Sequence, residues 1–290
     1  MTKLIRFVIG LLAVSQGIFA CEADNLIWIP REKSADPLYR FVIHDKAGYI
    51  DQTGRVIIPP KFQDYGSNSG YEFHDGLLET TVSDGVYADR TGKIVINIGL
   101  FRGWDFSEGL AVAMRKDGET WGYIDLRGNF AISPRFAWVR ESYPDGYPSS
   151  FSDGYAKINH LGMIGYIDRS GRFAITPSFL EGYAFHDGLA RVVVEGPCVF
   201  LTDGPCLQSY VVPEKSGQRN RVEKLPKCKF AFINKSGTIV SAERYEWAKD
   251  FSEGMAAVLV NGKVGYIDRS GAMVIAPQFE SAGHSQTASP

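Results

Sequence analysis

Five aspartates recur at one place in this 290-residue chain: Asp51, Asp89, Asp125, Asp168 and Asp268, with Asn234 at a sixth. Each follows an aromatic ring by two residues, the rings being Tyr49, Tyr87, Tyr123, Tyr166, Phe232 and Tyr266. Each precedes a glycine by three, the glycines being Gly54, Gly92, Gly128, Gly171, Gly237 and Gly271. A row of carboxylates could hold Ca²⁺, and a row of exposed rings could stack on sugars or bases. The substitutions favour a plainer reading. Calcium asks for about six to eight oxygens, whereas each repeat offers one acid, and Asn234 replaces it once. An Asp side chain can instead bond backbone N–H groups ahead of it while Gly accepts a positive φ, which together close a short hairpin. Phe232 in place of Tyr makes the hydroxyl look dispensable and the ring a core element.

A second phrase, aromatic-x-acid-Gly-apolar, lies between copies of the first. It carries the acids Asp75, Glu108, Asp153, Asp187 and Glu253, and their free exchange between Asp and Glu suits hydrogen bonds to loop backbone. His74 and His186 stand beside two of these acids, an arrangement that invites general-base chemistry. No Ser or Cys nucleophile recurs near either, so they read as surface-loop histidines, and no catalytic residue, metal site or cofactor is expected. The cysteines are Cys21, Cys198, Cys206 and Cys228. Cys198 and Cys206 could close a small loop as a disulfide. Cys228 could pair with Cys21 if that residue is free, and a zinc site lacks nearby histidine.

The elements that carry these residues are strands. Successive rings are 38, 36, 43, 66 and 34 residues apart, a period of about 36 with one modest and one large insertion. In the last copy Ala256–Val260 ends at Asn261-Gly262, a hairpin signal, and Val264–Ile267 and Met273–Ile275 follow as two more strands. Pro277 is expected to stop the third. The fold class is all-β: a tandem array of six three-stranded antiparallel meanders, each followed by an irregular crossing. An open, solenoid-like stack is favoured because six whole meanders leave no strand to share; a closed six-bladed, propeller-like ring is the alternative.

Residues 1–20 read as a signal peptide, with Lys3 and Arg6 before an apolar run at Phe7–Val14 that is too short to span a bilayer. Residues 21–39 read as a linker, 40–279 as the repeat domain with an insertion at about 196–229, and 280–290 as a flexible tail. Cys21 directly after Ala20 resembles the lipidated cysteine of a bacterial lipoprotein. Loss of Lys3 and Arg6 moves the formal charge from −2 to −4, which leaves no electrostatic footprint for nucleic acid.

Trp121-Gly122-Tyr123-Ile124-Asp125 with Gly128, and Phe106-Ser107-Glu108-Gly109-Leu110, resemble the WG repeat of bacterial proteins. The resemblance spans Phe41 to Phe279, although the Trp survives only at Trp121, its place being read elsewhere as Ala47, Val86, Ile164, Ala231 and Val264. It implies a domain of secreted or surface proteins with no catalytic residues to carry over. The expected function is an exported, non-enzymatic scaffold that binds protein at the cell envelope, periplasmic or surface-bound, with membrane contact only through a lipid on Cys21. Glycan binding is the alternative. The parts that do not repeat, Glu141–Ser150 and Gly196–Lys229, are the candidate binding loops.

Overall fold

The computed structural model describes residues 37–64, 72–80, 85–97, 99–115, 119–137, 147–196, 209–212, 221–224, 228–241 and 243–281. All regular structure among them is strand. Repeat 1 is a sheet of β1 (Tyr39–Ile43), β2 (Lys46–Ile50) and β3 (Val56–Gln63) in that order. Repeat 2 adds a short leading strand: β4 (Phe73–His74), β5 (Leu77–Glu79), β6 (Val86–Asp89) and β7 (Ile94–Asn97). Repeat 3 follows suit with β8 (Leu100–Gly103), β9 (Leu110–Arg115), β10 (Thr120–Asp125) and β11 (Phe130–Ala137).

Repeat 4 is β12 (Tyr155–His160), β13 (Met163–Asp168) and β14 (Phe173–Phe179). Repeat 5 pairs β15 (Glu181–His186) with β16 (Leu189–Glu195), and β16 with β19 (Lys229–Asn234). Its third strand is reduced to the bridges Ile233–Ile239 and Phe230–Tyr245. Between β16 and β19 the insertion carries a two-stranded ribbon, β17 (Ser209–Val212) with β18 (Arg221–Lys224). Repeat 6 is β20 (Trp247–Ala248), β21 (Met255–Val260), β22 (Lys263–Asp268) and β23 (Met273–Phe279). The chain is therefore six antiparallel meanders in tandem, and no sheet among the described residues closes into a barrel.

The chain divides into two compact units, Met1–Gly118 with Ile124–Phe130, and Glu119–Tyr123 with Ala131–Pro290. The first unit buries Tyr49, Ile58, Phe73 and Leu78 in one cluster, and Tyr87, Ile96, Phe106 and Ile124 in another. The second buries Tyr166, Ile175, Phe185 and Ile233 together, and Phe230, Phe232, Tyr245 and Phe251 together. Middle strands are buried on both faces, as in Ile164–Ile167 of β13, so they read as unbroken apolar runs.

The recurring acids build the turns after those strands. Asp168 Oδ1 accepts from the N–H of Ser170 at 2.8 Å, the hydroxyl of Ser170 at 2.6 Å and the N–H of Arg172 at 3.1 Å. Asp51, Asp89 and Asp268 repeat that set, Asp125 repeats its two backbone bonds, and Asn234 makes all three with an amide oxygen. Gly171, three residues on, sits at φ +81° and donates back to the Asp168 carbonyl. The hydroxyl and amide donors hold the Asp51 carboxyl down to about 2, against burial working upward, and lower Asp89, Asp168 and Asp268. Carboxyls lowered in the fold add stability above their unfolded value of 3.8 and lose it as pH falls toward 2. The urea midpoint is accordingly expected to fall between pH 4 and pH 2. Replacing all four by Asn, which repeat 5 already uses, should flatten that fall; an unchanged profile would mean the turns do not couple to folding.

Two expectations are corrected here. The crossing between repeats is not irregular throughout. In the aromatic-x-acid-Gly phrase the acid and the Gly both have positive φ, as at Asp153 (+53°) and Gly154 (+84°), the pattern of a tight hairpin turn. This turn joins a leading segment to the first strand, as the Ser152–Tyr155 bridge displays. Nor does Pro277 end its strand, since β23 continues to Phe279. Pro277 marks a bulge instead: Val264 pairs with Phe279 and Tyr266 with Ile275, two extra residues lying on β23 between them. A proline there loses no ladder bond and blunts the outer edge of the sheet.

The bulge explains the glycine before the ring in repeats 1, 3, 4 and 6. A Cβ on Gly165 would stand 2.7 Å from the Pro177 nitrogen and 2.8 Å from the Ile175 oxygen, both backbone atoms. Gly48 faces Pro60 and Gly265 faces Pro277 in the same way, and Gly122 faces Pro134. Repeats 2 and 5 lack both partners. Val86 and Ala231 directly precede their rings and so occupy the Gly position; the Trp position in these repeats holds Gly85 and Phe230, which corrects the alignment read from sequence.

Candidate functional site

The ring row lies inside. Tyr49 is 1% exposed, and Tyr87, Tyr123, Tyr166 and Phe232 are at 0%. Each packs edge-on against the aromatic of the next phrase: Tyr49 on Phe73, Tyr87 on Phe106, Tyr123 on Phe151, Tyr166 on Phe185 and Phe232 on Phe251, with centroids 4.9 to 5.1 Å apart. Only Tyr266, in the last repeat, is half-buried.

The hydroxyls are not idle, contrary to what Phe232 suggests. Tyr87 donates to the Trp104 carbonyl at 2.8 Å, Tyr123 to that of Ser149 at 2.8 Å, and Tyr166 to that of Tyr183 at 2.9 Å. Each acceptor lies two residues before the next phrase's aromatic, so each bond ties one repeat to its successor. Burial raises the phenol of Tyr87, of Tyr123 and of Tyr166 well above its ordinary value, which keeps the donor proton in place.

The acids of the second phrase supply another tie. Asp75 Oδ2 accepts the N–H of Gly109 at 2.6 Å, Asp153 that of Gly188 at 2.7 Å, and Asp187 that of Gly254 at 2.7 Å. The bonded backbone belongs to the next repeat's turn, not to the acid's own loop. The Gly254 N–H lowers the Asp187 carboxyl against burial, helped by Arg269 at 3.0 Å.

One row was missed in the sequence. Opposite the rings of five repeats, register places Arg40 against Tyr49, Glu79 against Tyr87, Lys157 against Tyr166, Arg191 against Phe232 and Ala257 against Tyr266. Glu79 and Lys157 are 6% and 7% exposed. Arg40 pairs with Asp64. Arg191 bonds Asp250 at 2.9 Å and the Ala248 carbonyl at 2.6 Å while its guanidinium covers the Tyr183 ring at 3.5 Å. The available signal was a charge inside an otherwise apolar strand, as in Leu77-Leu78-Glu79.

The profile of the "WG containing repeat" matches residues 48–77, 121–147, 164–196, 230–263 and 265–285, together half of the chain. The chain belongs to the WG-repeat family. A comparison with curated proteins returns no match. Among solved structures, a streptogramin B lyase is similar at 13% identity and TM-score 0.39, covering 91% of this chain and 86% of that one. A selenomethionine-substituted virginiamycin B lyase from Staphylococcus aureus gives 14%, 0.38, 87% and 83%. A catalytically inactive form of the Staphylococcus aureus enzyme with quinupristin gives 12%, 0.42, 90% and 87%. Likeness at this level lends the WG-repeat chain neither a fold nor an activity.

The remaining candidates sort quickly. No group of three or more metal-ligating side chains occurs among the described residues. His186 is exposed, and His74 Nε2 lies 3.6 Å from Asp105 Oδ2 at the joint between WG repeats 2 and 3. Cys228 is disulfide-bonded and 4% exposed, packed in the core of repeats 5 and 6. Cys21, Cys198 and Cys206 lie outside the described residues, as do residues 141–146 and most of the 196–229 insertion.

Proposed function

We propose that this WG-repeat protein is an exported, non-enzymatic scaffold that binds protein partners at the bacterial cell envelope. The observation that carries this reading over glycan binding is the burial of the ring row. Rings at 0 to 1% exposure with hydroxyls committed to the next repeat offer no face to a sugar. The repeating acids are equally committed, to turns and to neighbouring backbone. What repeats in this chain is spent on stacking, and repeat arrays provide extended surfaces for partners.

Export is supported by the Lys3–Ala20 leader pattern and by the disulfide at Cys228, which suits an oxidising compartment. Cys21 is proposed as the lipid anchor, which leaves Cys198 or Cys206 rather than Cys21 to bond Cys228, and labelled palmitate on Cys21 in growing cells tests it. The functional reading is tested by passing envelope extract and purified peptidoglycan over the immobilised protein. Saturable capture of one envelope protein without retention of glycan is expected. Retention on peptidoglycan with no protein recovered would transfer the assignment to the glycan reading.

A further inference from the structure

Repeat 5 closes repeat 4 through several contacts at once. Phe185 stands edge-on to the Tyr166 ring, whose hydroxyl donates to the Tyr183 carbonyl. Asp153, in the phrase that leads into repeat 4, accepts the Gly188 N–H. Ile175 on the third strand is 6% exposed beside Gly237, where an added Cβ would meet its Cγ2 at 3.0 Å. Repeat 6 copies Gly165 to Gly171 residue for residue as Gly265 to Gly271, yet presents the same face open. Tyr266 is half-buried, its ring meeting Phe279 of its own sheet at 6.2 Å. Among the described residues its hydroxyl has no acceptor, and Glu253, at the position of Asp153, accepts no glycine N–H. Ile275 is half-buried too, and Phe279 is 44% exposed where Phe62 and Phe136 are at 7% and 6%. A ring edge, a hydroxyl donor and a carboxylate acceptor are thus left together on one apolar face.

We propose that the open face of repeat 6 binds a hairpin turn of the aromatic-x-acid-Gly type carried by a partner protein. This is the occupant that the same face of repeat 4 holds within the chain, at Phe185-His186-Asp187-Gly188. The partner's ring covers the edge of Tyr266, and its glycine N–H bonds the Glu253 carboxylate. The carbonyl two residues before that ring accepts from the Tyr266 hydroxyl. A second copy of this chain does not fit. Its phrase rings Phe73, Phe106, Phe151, Phe185 and Phe251 are all buried in their own array, at 4% exposure or less. Ahead of its first strand, Ser34 stands where the phrase ring would, six residues before Arg40 as Phe151 is six before Lys157. Residues 281–290 carry no Phe, Tyr or Trp and cannot supply the ring either. The inference names the site and partner chemistry of the scaffold proposed above, and rests on that reading.

The test uses the full mature chain and, as probe, a peptide of residues 181–195 with its ends joined to hold the Asp187-Gly188 turn. NMR of the Tyr266 and Phe279 rings follows the titration. Saturable shifts at both rings are expected, and a Phe185→Ala peptide should bind at least about tenfold more weakly. Tyr266→Phe and Glu253→Gln chains, altered outside the buried core, should each bind the probe about 3- to 10-fold more weakly. Absence of shifts at Tyr266, or equal binding by the Phe185→Ala peptide, overturns the proposal. So does self-association of the chain that Phe279→Asp abolishes, since the occupant is then a second copy. Capture of an envelope protein that survives Phe279→Asp leaves the scaffold reading in place and overturns this site. Probe binding with no protein captured from envelope extract supports the site and overturns the scaffold reading instead.

Discussion

Gly165→Ala is expected to cost the second unit about 3 kcal/mol or more, a large loss for one methyl group. The added Cβ would meet the Pro177 nitrogen at 2.7 Å, the Ile175 oxygen at 2.8 Å and Pro177 Cδ at 2.9 Å. None of these is the tip of a flexible side chain. Relief requires β14 to move away from β13, which breaks the bulge between the Ile164–Phe179 and Tyr166–Ile175 pairs. The reverse change in a repeat without the proline, Ala231→Gly, should cost only about 1 kcal/mol, mostly from added freedom in the unfolded chain. Urea unfolding of the two variants separates the causes. A Gly165→Ala chain with the wild-type midpoint would show that the bulge relaxes freely.

Tyr166→Ala is the second large effect, expected at about 4 kcal/mol. The ring is fully buried and stands edge-on to Phe185 at 5.0 Å and 73°. Its removal opens a cavity between repeats 4 and 5 and leaves the Tyr183 carbonyl without the donor it has at 2.9 Å. Tyr166→Phe isolates the second part and should cost about 1 to 2 kcal/mol. Thermal or urea unfolding of the pair gives both values. Equal stability of Tyr166→Phe and wild type would return the hydroxyl to the dispensable role that Phe232 suggested.

The architecture was legible because each repeat solves the same local problem with the same residues. Asp168-Arg169-Ser170-Gly171 announces a turn, and Ile164–Ile167 announces a strand buried on both faces. What could not be read was where a side chain goes once it leaves its own repeat. Asp187 looks like a loop acid, yet its partner is Gly254, 67 residues away. Tyr and Phe exchange at one site because the hydroxyl serves the joint rather than the ring's packing. Arg191 was passed over because a single charge in an apolar strand has no meaning until the next repeat supplies Asp250. The proline was misread for a related reason: sequence shows that it cannot donate, but not that a bulge has excused it from donating.

The pairing of that proline with the glycine across from it also follows a pattern along the array. Repeats 1, 3, 4 and 6 have the pair, at Gly48, Gly122, Gly165 and Gly265, whereas repeats 2 and 5 have Val86 and Ala231 and no proline in the facing segment. The phrases leading into repeats 2 and 5 are also the two with histidine, His74 and His186. Repeats 3 and 6 place Val112 and Ala257, both uncharged, where repeats 1, 2, 4 and 5 carry Arg40, Glu79, Lys157 and Arg191. The glycine–proline pair, the phrase histidine and the uncharged position each recur at every third repeat. Engineered lengthening or shortening of the array should therefore proceed in threes.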